Sequence, residues 1–342
     1  MTTTSASLEQ RIAADPTTFR VLTGDRPTGP LHLGHHFGTL RNRVRLQELG
    51  VPVTVVVADQ QVLTDRDSVA GVPGNVLELM ADHLATGIDP DRTTIFAHSA
   101  VPALNQLVIP FLSLVTDAEL RRNPTVKAEL AATGSRALSG LLLTYPVHQA
   151  ADILFGHANL VPVGRDQLPH LETARLVARR FNERYAHGRP VFEEPEALLS
   201  DTPLLLGTDG VKMSKSRHNS IALRDTADTT ASLLRSARTD SERTVTYEPG
   251  RRPEVANLLR IAALCSDRSS EEVAAGVDGA HALKQLAIDC VNTHLAPLRA
   301  RRKALAADPG HLLAVLRTGN ARANEVAERT LDTVREVMGM RY

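Results

Sequence analysis

The chain has no tryptophan, two cysteines and 3% aromatic residues in a length of 342. Each shortage excludes something. Cys265 and Cys290 form no CxxC pair, and no Cys/His cluster has zinc spacing, so a disulfide scaffold or a zinc finger is not expected. The plain reading is two reduced thiols packed in helices, with a disulfide or a metal site as the other readings, and no metal ligand is assigned. No apolar run approaches the roughly 18 residues that a membrane span needs. The opening stretch, MTTTSASLEQRIAADP, has neither a basic start nor an apolar core, so no secretory signal is expected and a cytoplasmic location follows. Charge of neither sign is in excess: Lys+Arg and Asp+Glu both number 39. That balance argues against indiscriminate coating of nucleic acid but leaves room for a selective RNA enzyme with its cations on one surface.

What remains is ample apolar material, 42% of the chain. The length suits a catalytic domain with a smaller appendage. Short apolar runs alternate with longer helical patterns, the mark of an α/β fold with a parallel sheet. The runs are Phe19–Thr23, Val53–Val57, Thr94–Ala97 and Leu160–Val163. The second is continuous and β-branched, as suits a strand buried on both faces. Each run ends in polar residues: Thr23-Gly-Asp-Arg26, Asp59-Gln-Gln61, His98-Ser99 and Gly164-Arg-Asp-Gln167. Open α/β sheets bind ligands beyond the carboxyl ends of their strands, where the strand order reverses. If the first and fourth strands are neighbours, their polar ends face each other across one crevice. After about Asp225 the pattern is helical, in Val255–Leu264, Ala282–Leu298 and a last amphipathic stretch, Asn320–Met338.

Two motifs carry chemistry. In Gly24-Asp-Arg-Pro-Thr-Gly-Pro-Leu-His-Leu-Gly-His35, His32 and His35 flank Gly34 at a helix start. The unpaired N–H groups of such a start favour phosphate, and glycine admits a nucleotide close to the backbone. Taken alone, HLGH is also what an ordinary helix start looks like. The second motif is Lys212-Met-Ser-Lys-Ser216, beyond Gly207-Thr-Asp-Gly210. Lys212 and Lys215 can neutralise a departing pyrophosphate as point charges, or can be a solvated basic loop. On the segment Tyr145-Pro-Val-His-Gln-Ala-Ala-Asp152, Pro146 suits the first turn of a helix, and Tyr145, Gln149 and Asp152 fall on one face. Asp152 beside an otherwise apolar wall could accept a ring N–H, or could be a surface residue of an amphipathic helix. The run Arg299-Ala-Arg-Arg-Lys303 is either a solvated helix face or a contact for nucleic-acid phosphates.

HLGH and KMSKS, in that order, resemble the two signatures of class I aminoacyl-tRNA synthetases. Pro27–His36, Asn123-Pro-Thr-Val-Lys-Ala-Glu129, Tyr145–Asp152, Val161–Gln167, Ser236–Ser241 and Gly319–Glu325 are similar to tryptophanyl-tRNA synthetases, so the resemblance spans nearly the whole chain. It implies a Rossmann-like, parallel-sheet nucleotide-binding domain over residues 1–206, a connector with the KMSKS loop over 207–224, and a helical anticodon-binding domain over 225–342 whose last helix can return to the catalytic domain. It implies ATP contacts from Arg26, Pro27, Thr28, Gly34, His35, Gly164, Arg165, Asp166, Leu204, Lys212, Met213, Ser214, Lys215 and Ser216, with His32, His35, Lys212 and Lys215 as the catalytic set. Asp152, Tyr145, Gln149, Val161, Val163 and Gln167 are implied as the amino-acid pocket. The implied partners are ATP with Mg2+, L-tryptophan, tRNA(Trp) and a second copy in a homodimer, with no membrane.

Three positions depart from the usual bacterial pattern: Gln149 where methionine is common, Arg165 where glutamate is common and His35 where many members have asparagine. Tyrosyl-tRNA synthetases place a glutamine in a similar arrangement, so tyrosine is the second candidate substrate. A regulatory protein that binds tRNA or tryptophan without charging is the third reading. A polar pocket wall at Gln149, in a chain that needs no tryptophan for its own synthesis, also fits a second-copy enzyme tolerant of indole-containing inhibitors.

Overall fold

The computed structural model describes residues 5–64, 69–132, 138–164, 167–199, 204–214 and 217–342. Five parallel strands form one sheet: β1 Val21–Asp25, β2 Val53–Val57, β3 Thr93–Ala97, β4 Leu160–Val163 and β5 Glu196–Leu199, in the order β3-β2-β1-β4-β5. Four of these overlap the apolar runs of the sequence, although β1 starts two residues after Phe19 and runs on through Gly24 and Asp25. The fifth was not expected, because Glu196-Ala-Leu-Leu199 is short, lacks β-branched residues and begins with a charge. It lies at the sheet edge, where pairing with β4 alone suffices.

Successive strand residues enter opposite cores. Val21, Val55, Val57, Ile95 and Leu160 belong to one buried layer, and Leu22, Val56, Phe96 and Val161 to the other. Strands covered on both faces need apolar residues throughout, hence the continuous Val53-Thr-Val-Val-Val57. The first layer continues without a break into the helical region through Val255, Leu258, Leu283, Val291 and Leu295. The other contains Phe111, Val147, Phe155, Val177 and Phe181 from helices Pro102–Leu112, Gly140–Phe155 and Leu168–Tyr185.

The chain adds β2 and β3 on one side of β1, then returns to place β4 on the other, so β1 and β4 are neighbours at the reversal. Their pairing registers at Val21↔Leu160. Pro162 has no N–H to extend that ladder, and a crevice opens between the ends of the two strands.

Beyond residue 225 the helices Ala227–Ser236, Pro253–Ser266, Ser270–Ala275, Gly279–Ala306 and Pro309–Val337 account for the apolar patterns. The last begins well before Asn320 because Pro309 at its first turn and the Asp308 side chain, which accepts from His311 N at 2.9 Å, start it there. This helix lies along the free edge of β3. Asn320 Oδ1 accepts the Ala97 N–H at 2.9 Å, and Asn324 Nδ2 donates to the Ala100 carbonyl at 2.6 Å. Side-chain amides thereby occupy an edge that would otherwise present unpaired backbone groups. Gly319 makes the approach possible: a Cβ there would collide with the Ile95 carbonyl.

The basic run in Gly279–Ala306 buries only Arg302, while Arg301 and Lys303 are exposed. Arg302 Nε bonds Asp82 Oδ1 and its NH2 bonds Glu78, each at 2.5 Å. Arg301 Nε donates to the Ala85 carbonyl at 2.8 Å, and Arg299 donates to Asn292 and Thr230. Arg302 is thus taken up by packing and Arg299 partly so, which narrows the solvated face or phosphate contact expected of this run to the exposed Arg301 and Lys303. Cys265 and Cys290 are free, half-buried and on neighbouring helices, and burial pushes the Cys265 thiol up to about 12. Among the described residues no helix is long and apolar enough to cross a membrane.

One histidine pair ties the sheet's first helical segment to the helical region: His36 Nε2 lies 2.9 Å from His294 Nε2. Burial above all, then His294 and Arg41, push His36 from 6.5 down to about 3. Between those two values the unfolded chain binds a proton that the folded chain refuses. Stability is therefore fully present above about pH 6.5 and lost as pH falls toward 3. The variant His36→Gln should show a shallower decline of Tm with acidification over that range, and an unaltered pH profile would show that this histidine does not set it. Gly319→Ala should lower stability by about 3 kcal/mol or more, since backbone must move to admit the methyl group. A denaturant midpoint equal to that of the unmodified chain would mean that the last helix can shift off β3 without loss.

Candidate active site

The crevice between β1 and β4 encloses about 390 Å3. Thr23, Gly24, Asp25 and Arg26 line one side, and Val161, Pro162, Val163 and Gly164 the other. Helix Gly140–Phe155 supplies Tyr145, Gln149 and Asp152 along one face, as their spacing requires. Gln167, His35 and Gln61 complete the part that sequence reasoning reached. Pro146 is in the middle of that helix, whose start is set by Ser139 Oγ accepting from Leu142 N at 3.0 Å. The proline therefore interrupts the helix ladder instead of beginning it.

The signature helix is built by its own histidines. His32 Nδ1 accepts from Gly34 N at 3.1 Å, and His35 Nδ1 accepts from His32 N at 3.3 Å. This reciprocal arrangement caps Leu33–His35, and the helix then widens over His36–Leu40 before Arg41–Glu48. His35 lines the crevice, whereas Pro27, Thr28, His32 and Gly34 form the turn and helix start beside it. A floor that the motifs do not reveal lies beneath. Arg43 NH1 bonds Asp25 Oδ2 at 2.5 Å, and His83 Nε2 is 3.3 Å from the same oxygen. Burial opposes the charge on Asp25, but Arg43 and His83 outweigh it and hold the carboxyl well below the usual carboxylate range. Arg26 NH1 donates to Thr64 Oγ1 at 3.3 Å.

The loop after Leu204 is tied to this helix start. Leu33 N donates to the Ile221 carbonyl at 3.0 Å, and Leu223 N to the Leu31 carbonyl at 2.9 Å. Met213 is buried, with its sulfur 3.9 Å from where a Cβ on Gly34 would stand. Lys212 pairs back to Leu206 with its side chain exposed, and Leu204 is exposed as well. Asn219, which no motif singled out, organises the loop. Its Oδ1 accepts from Ser214 N at 2.8 Å, and its Nδ2 donates to Asp209 Oδ1 at 2.7 Å and to the Lys212 carbonyl at 3.2 Å. A Cβ on Gly207 would strike it, which explains the glycine there. Arg165, Asp166, Lys215 and Ser216 lie outside the described residues.

Asp152 is not the surface residue of an amphipathic helix, since it is 2% exposed. Nor is its wall apolar. Its Oδ1 lies 2.6 Å from His98 Nε2 and its Oδ2 3.3 Å from Gln61 Nε2. The His148 ring packs on His98 with centroids 4.5 Å apart. His98, His148 and Asp152 each offer a ligand atom within 4.8 Å of the others, a grouping that the sequence reading did not anticipate. The direct 2.6 Å bond between two of them occupies the space that a cation would need, so these groups fit a hydrogen-bonded cluster better than a metal site. Tyr145 Oη and His170 Nε2 are 3.2 Å apart, and burial pushes the phenol up.

Residues 15–296 match the sequence family described as "tRNA synthetases class I (W and Y)". The chain belongs to this family. The tryptophan--tRNA ligase of Clostridium longisporum is 40% identical over 333 residues, which cover 94% of this chain and 97% of that protein. The solved tryptophanyl-tRNA synthetase of Campylobacter jejuni, complexed with ADP and tryptophan, superposes with a TM-score of 0.82 at 29% identity, covering 94% and 100% of the two chains. The tyrosyl-tRNA synthetase of Archaeoglobus fulgidus, at 23% identity and a TM-score of 0.63 over 87% and 94%, shares the fold alone. The expected α/β architecture with a parallel sheet and a helical C-terminal region is that of these relatives.

Asn219→Ala should expose the loop to trypsin after Lys212 while lowering global stability by only about 1–3 kcal/mol, the range for stranding buried hydrogen-bond partners. Cleavage at the unmodified rate would remove Asn219 as the organiser of this loop.

Proposed function

We propose that the chain activates L-tryptophan with ATP and transfers it to tRNA(Trp). The observation that carries this reading is the crevice at the β1/β4 reversal, with Tyr145, Gln149 and Asp152 on one wall and a phosphate-ready helix start on the other. The loop that carries Lys212 is fastened to that same helix start through Leu31–Leu33 and Ile221–Leu223. In the first step the tryptophan carboxylate attacks the α-phosphate, the bond to the β-phosphate breaks, and pyrophosphate leaves. In the second, the terminal ribose hydroxyl of the tRNA attacks the acyl carbonyl and AMP leaves. No side chain acts as a covalent nucleophile. The protein positions the reactants and stabilises charge.

His35 and Arg26 face the nucleotide half of the crevice, and His32 shapes it as a helix cap. Thr28, Pro27 and Gly34 bring backbone close to the phosphates, with Gly164, Arg165 and Asp166 toward the ribose. Lys212 to Ser216 close over the leaving group. Mg2+ enters with ATP, which suits a site whose carboxylate Asp25 is already held by Arg43. Asp152 accepts the indole N–H, Tyr145, Gln149, Val161 and Val163 line the ring, and Gln167 joins the amino-acid set. The helical region after residue 225 carries anticodon recognition. The protein acts in the cytoplasm as a homodimer, and Ile109, apolar and 74% exposed on helix Pro102–Leu112, offers a surface for pairing.

ATP–pyrophosphate exchange with each amino acid in turn tests this reading. Tryptophan should support exchange. Exchange with tyrosine in its place would make the chain a tyrosyl enzyme, and exchange with neither would leave the regulatory binder. Lys212→Ala should slow pre-steady-state adenylate formation by on the order of tenfold or more while tryptophan binds as before, because this cation meets charge that develops only on the leaving group. Equal rates in the two proteins would withdraw Lys212 from the chemistry.

A further inference from the structure

Asp152 has two oxygens in unlike circumstances. Oδ1 is held at 2.6 Å by His98 Nε2, while among the described residues Oδ2 receives only the long 3.3 Å contact from Gln61. Asp152 lines the crevice but His98 and His148 do not, so the histidines stand behind the carboxylate and away from any bound molecule. His98 is fully buried, and among the described residues its Nδ1 has no hydrogen-bond partner. An imidazole with one nitrogen on a carboxylate and the other unpartnered carries its proton on the bonded nitrogen, so Nε2–H donates to Oδ1. The ring cannot turn away. His148 packs against it, and His148 Nε2 bonds Asn105 Oδ1 at 2.9 Å. Asn105 Nδ2 in turn donates to the His98 carbonyl at 3.4 Å, which closes the circuit on the same residue. Burial lowers the pKa of His148, so this second ring remains a neutral support.

We infer that His98 is a positioning residue for amino-acid selection, pinning Oδ1 of Asp152 so that Oδ2 points at the N–H of a bound indole. The inference rests on the reading of this crevice as a tryptophan pocket. A carboxylate anchored through one oxygen has lost rotation about its last torsion, so the other oxygen is fixed in direction before the ligand arrives. A ring without an N–H then leaves that buried acceptor unmatched and is rejected. Released from His98, the carboxylate can turn toward Gln61 or His148, and the absence of a donor on the ligand matters less. The residue thus separates rings that carry a donor from isosteres that do not, and contributes little to holding aromatic rings in general.

The experiment compares kcat/KM in ATP–pyrophosphate exchange for L-tryptophan and for 3-benzothienyl-L-alanine, in which sulfur replaces the ring N–H. The unmodified protein, His98→Ala, His98→Asn and His98→Gln are measured side by side. His98→Ala should narrow the preference for tryptophan by about tenfold, mainly through a higher KM for tryptophan with kcat retained. His98→Asn places its amide near the former Nδ1, short of Asp152, and should narrow the preference likewise, so it carries the test if the alanine variant does not fold. His98→Gln can still reach Oδ1 with an N–H and should restore most of the preference. A preference unchanged in both His98→Ala and His98→Asn overturns the inference while leaving tryptophan activation intact. An unmodified protein that activates tryptophan without favouring it over the sulfur isostere also overturns it. Failure of tryptophan to support any exchange overturns the functional reading, and this inference with it.

Discussion

The buried carboxylate of Asp82 is the point on which the active-site geometry depends. It accepts the Leu31 N–H at 3.0 Å and the Arg302 Nε at 2.5 Å, from opposite ends of the sequence. Glu78, one turn earlier, accepts from Arg302 and from Arg224. Leu31 precedes the signature helix, Arg224 follows the strand-like segment that pairs with it, and Arg302 belongs to the helical region. One pair of acids therefore fixes three parts of the chain that must meet within a few ångströms around the crevice. Burial pushes the Asp82 carboxyl up, and Arg302 is the main force against that. Removing one partner of such a buried pair typically costs about 3–5 kcal/mol, since the other is left uncompensated. The clamp is thus a condition of the site's shape and not an ornament of its periphery.

The parts of the fold that were legible in the sequence are those whose chemistry is local. Val53–Val57 suits a strand buried on both sides, and Arg26 after β1 and Gln167 after β4 line one crevice because the strand order reverses there. The helix start at His32–His35 was legible for the same reason, though not that the two imidazoles themselves cap it. What was not legible depends on distant partners. Glu196–Leu199 becomes a strand because β4 offers it an edge, not because of its own composition. Arg299 and Arg302 read as part of a basic face until Thr230 and Asp82 are brought beside them. Asn219 looks like any loop asparagine, and its bonds to Ser214, Asp209 and Lys212 exist only once the loop has closed.

The same distinction runs through the pocket. Spacing alone put Tyr145, Gln149 and Asp152 on one wall. It could not say that Asp152 would sit among imidazoles, because His98 arrives from β3 and Gln61 from the turn after β2. His98 was visible only as a polar residue at a strand end. That position was a usable signal, since such ends are where ligands and their supporting groups gather.

The seal along β3 has a consequence in time. Ala97 and the asparagine that takes its N–H are separated by 223 residues. At roughly 5–20 residues per second, a nascent chain waits on the order of ten to forty seconds between making the strand and making its cover. Throughout that interval the strand's outer rim can only be satisfied by water or by something other than this protein. A ribosome that stalls before Gly319 leaves behind a nearly complete sheet with one raw margin, the kind of species that chaperones retain and proteases remove.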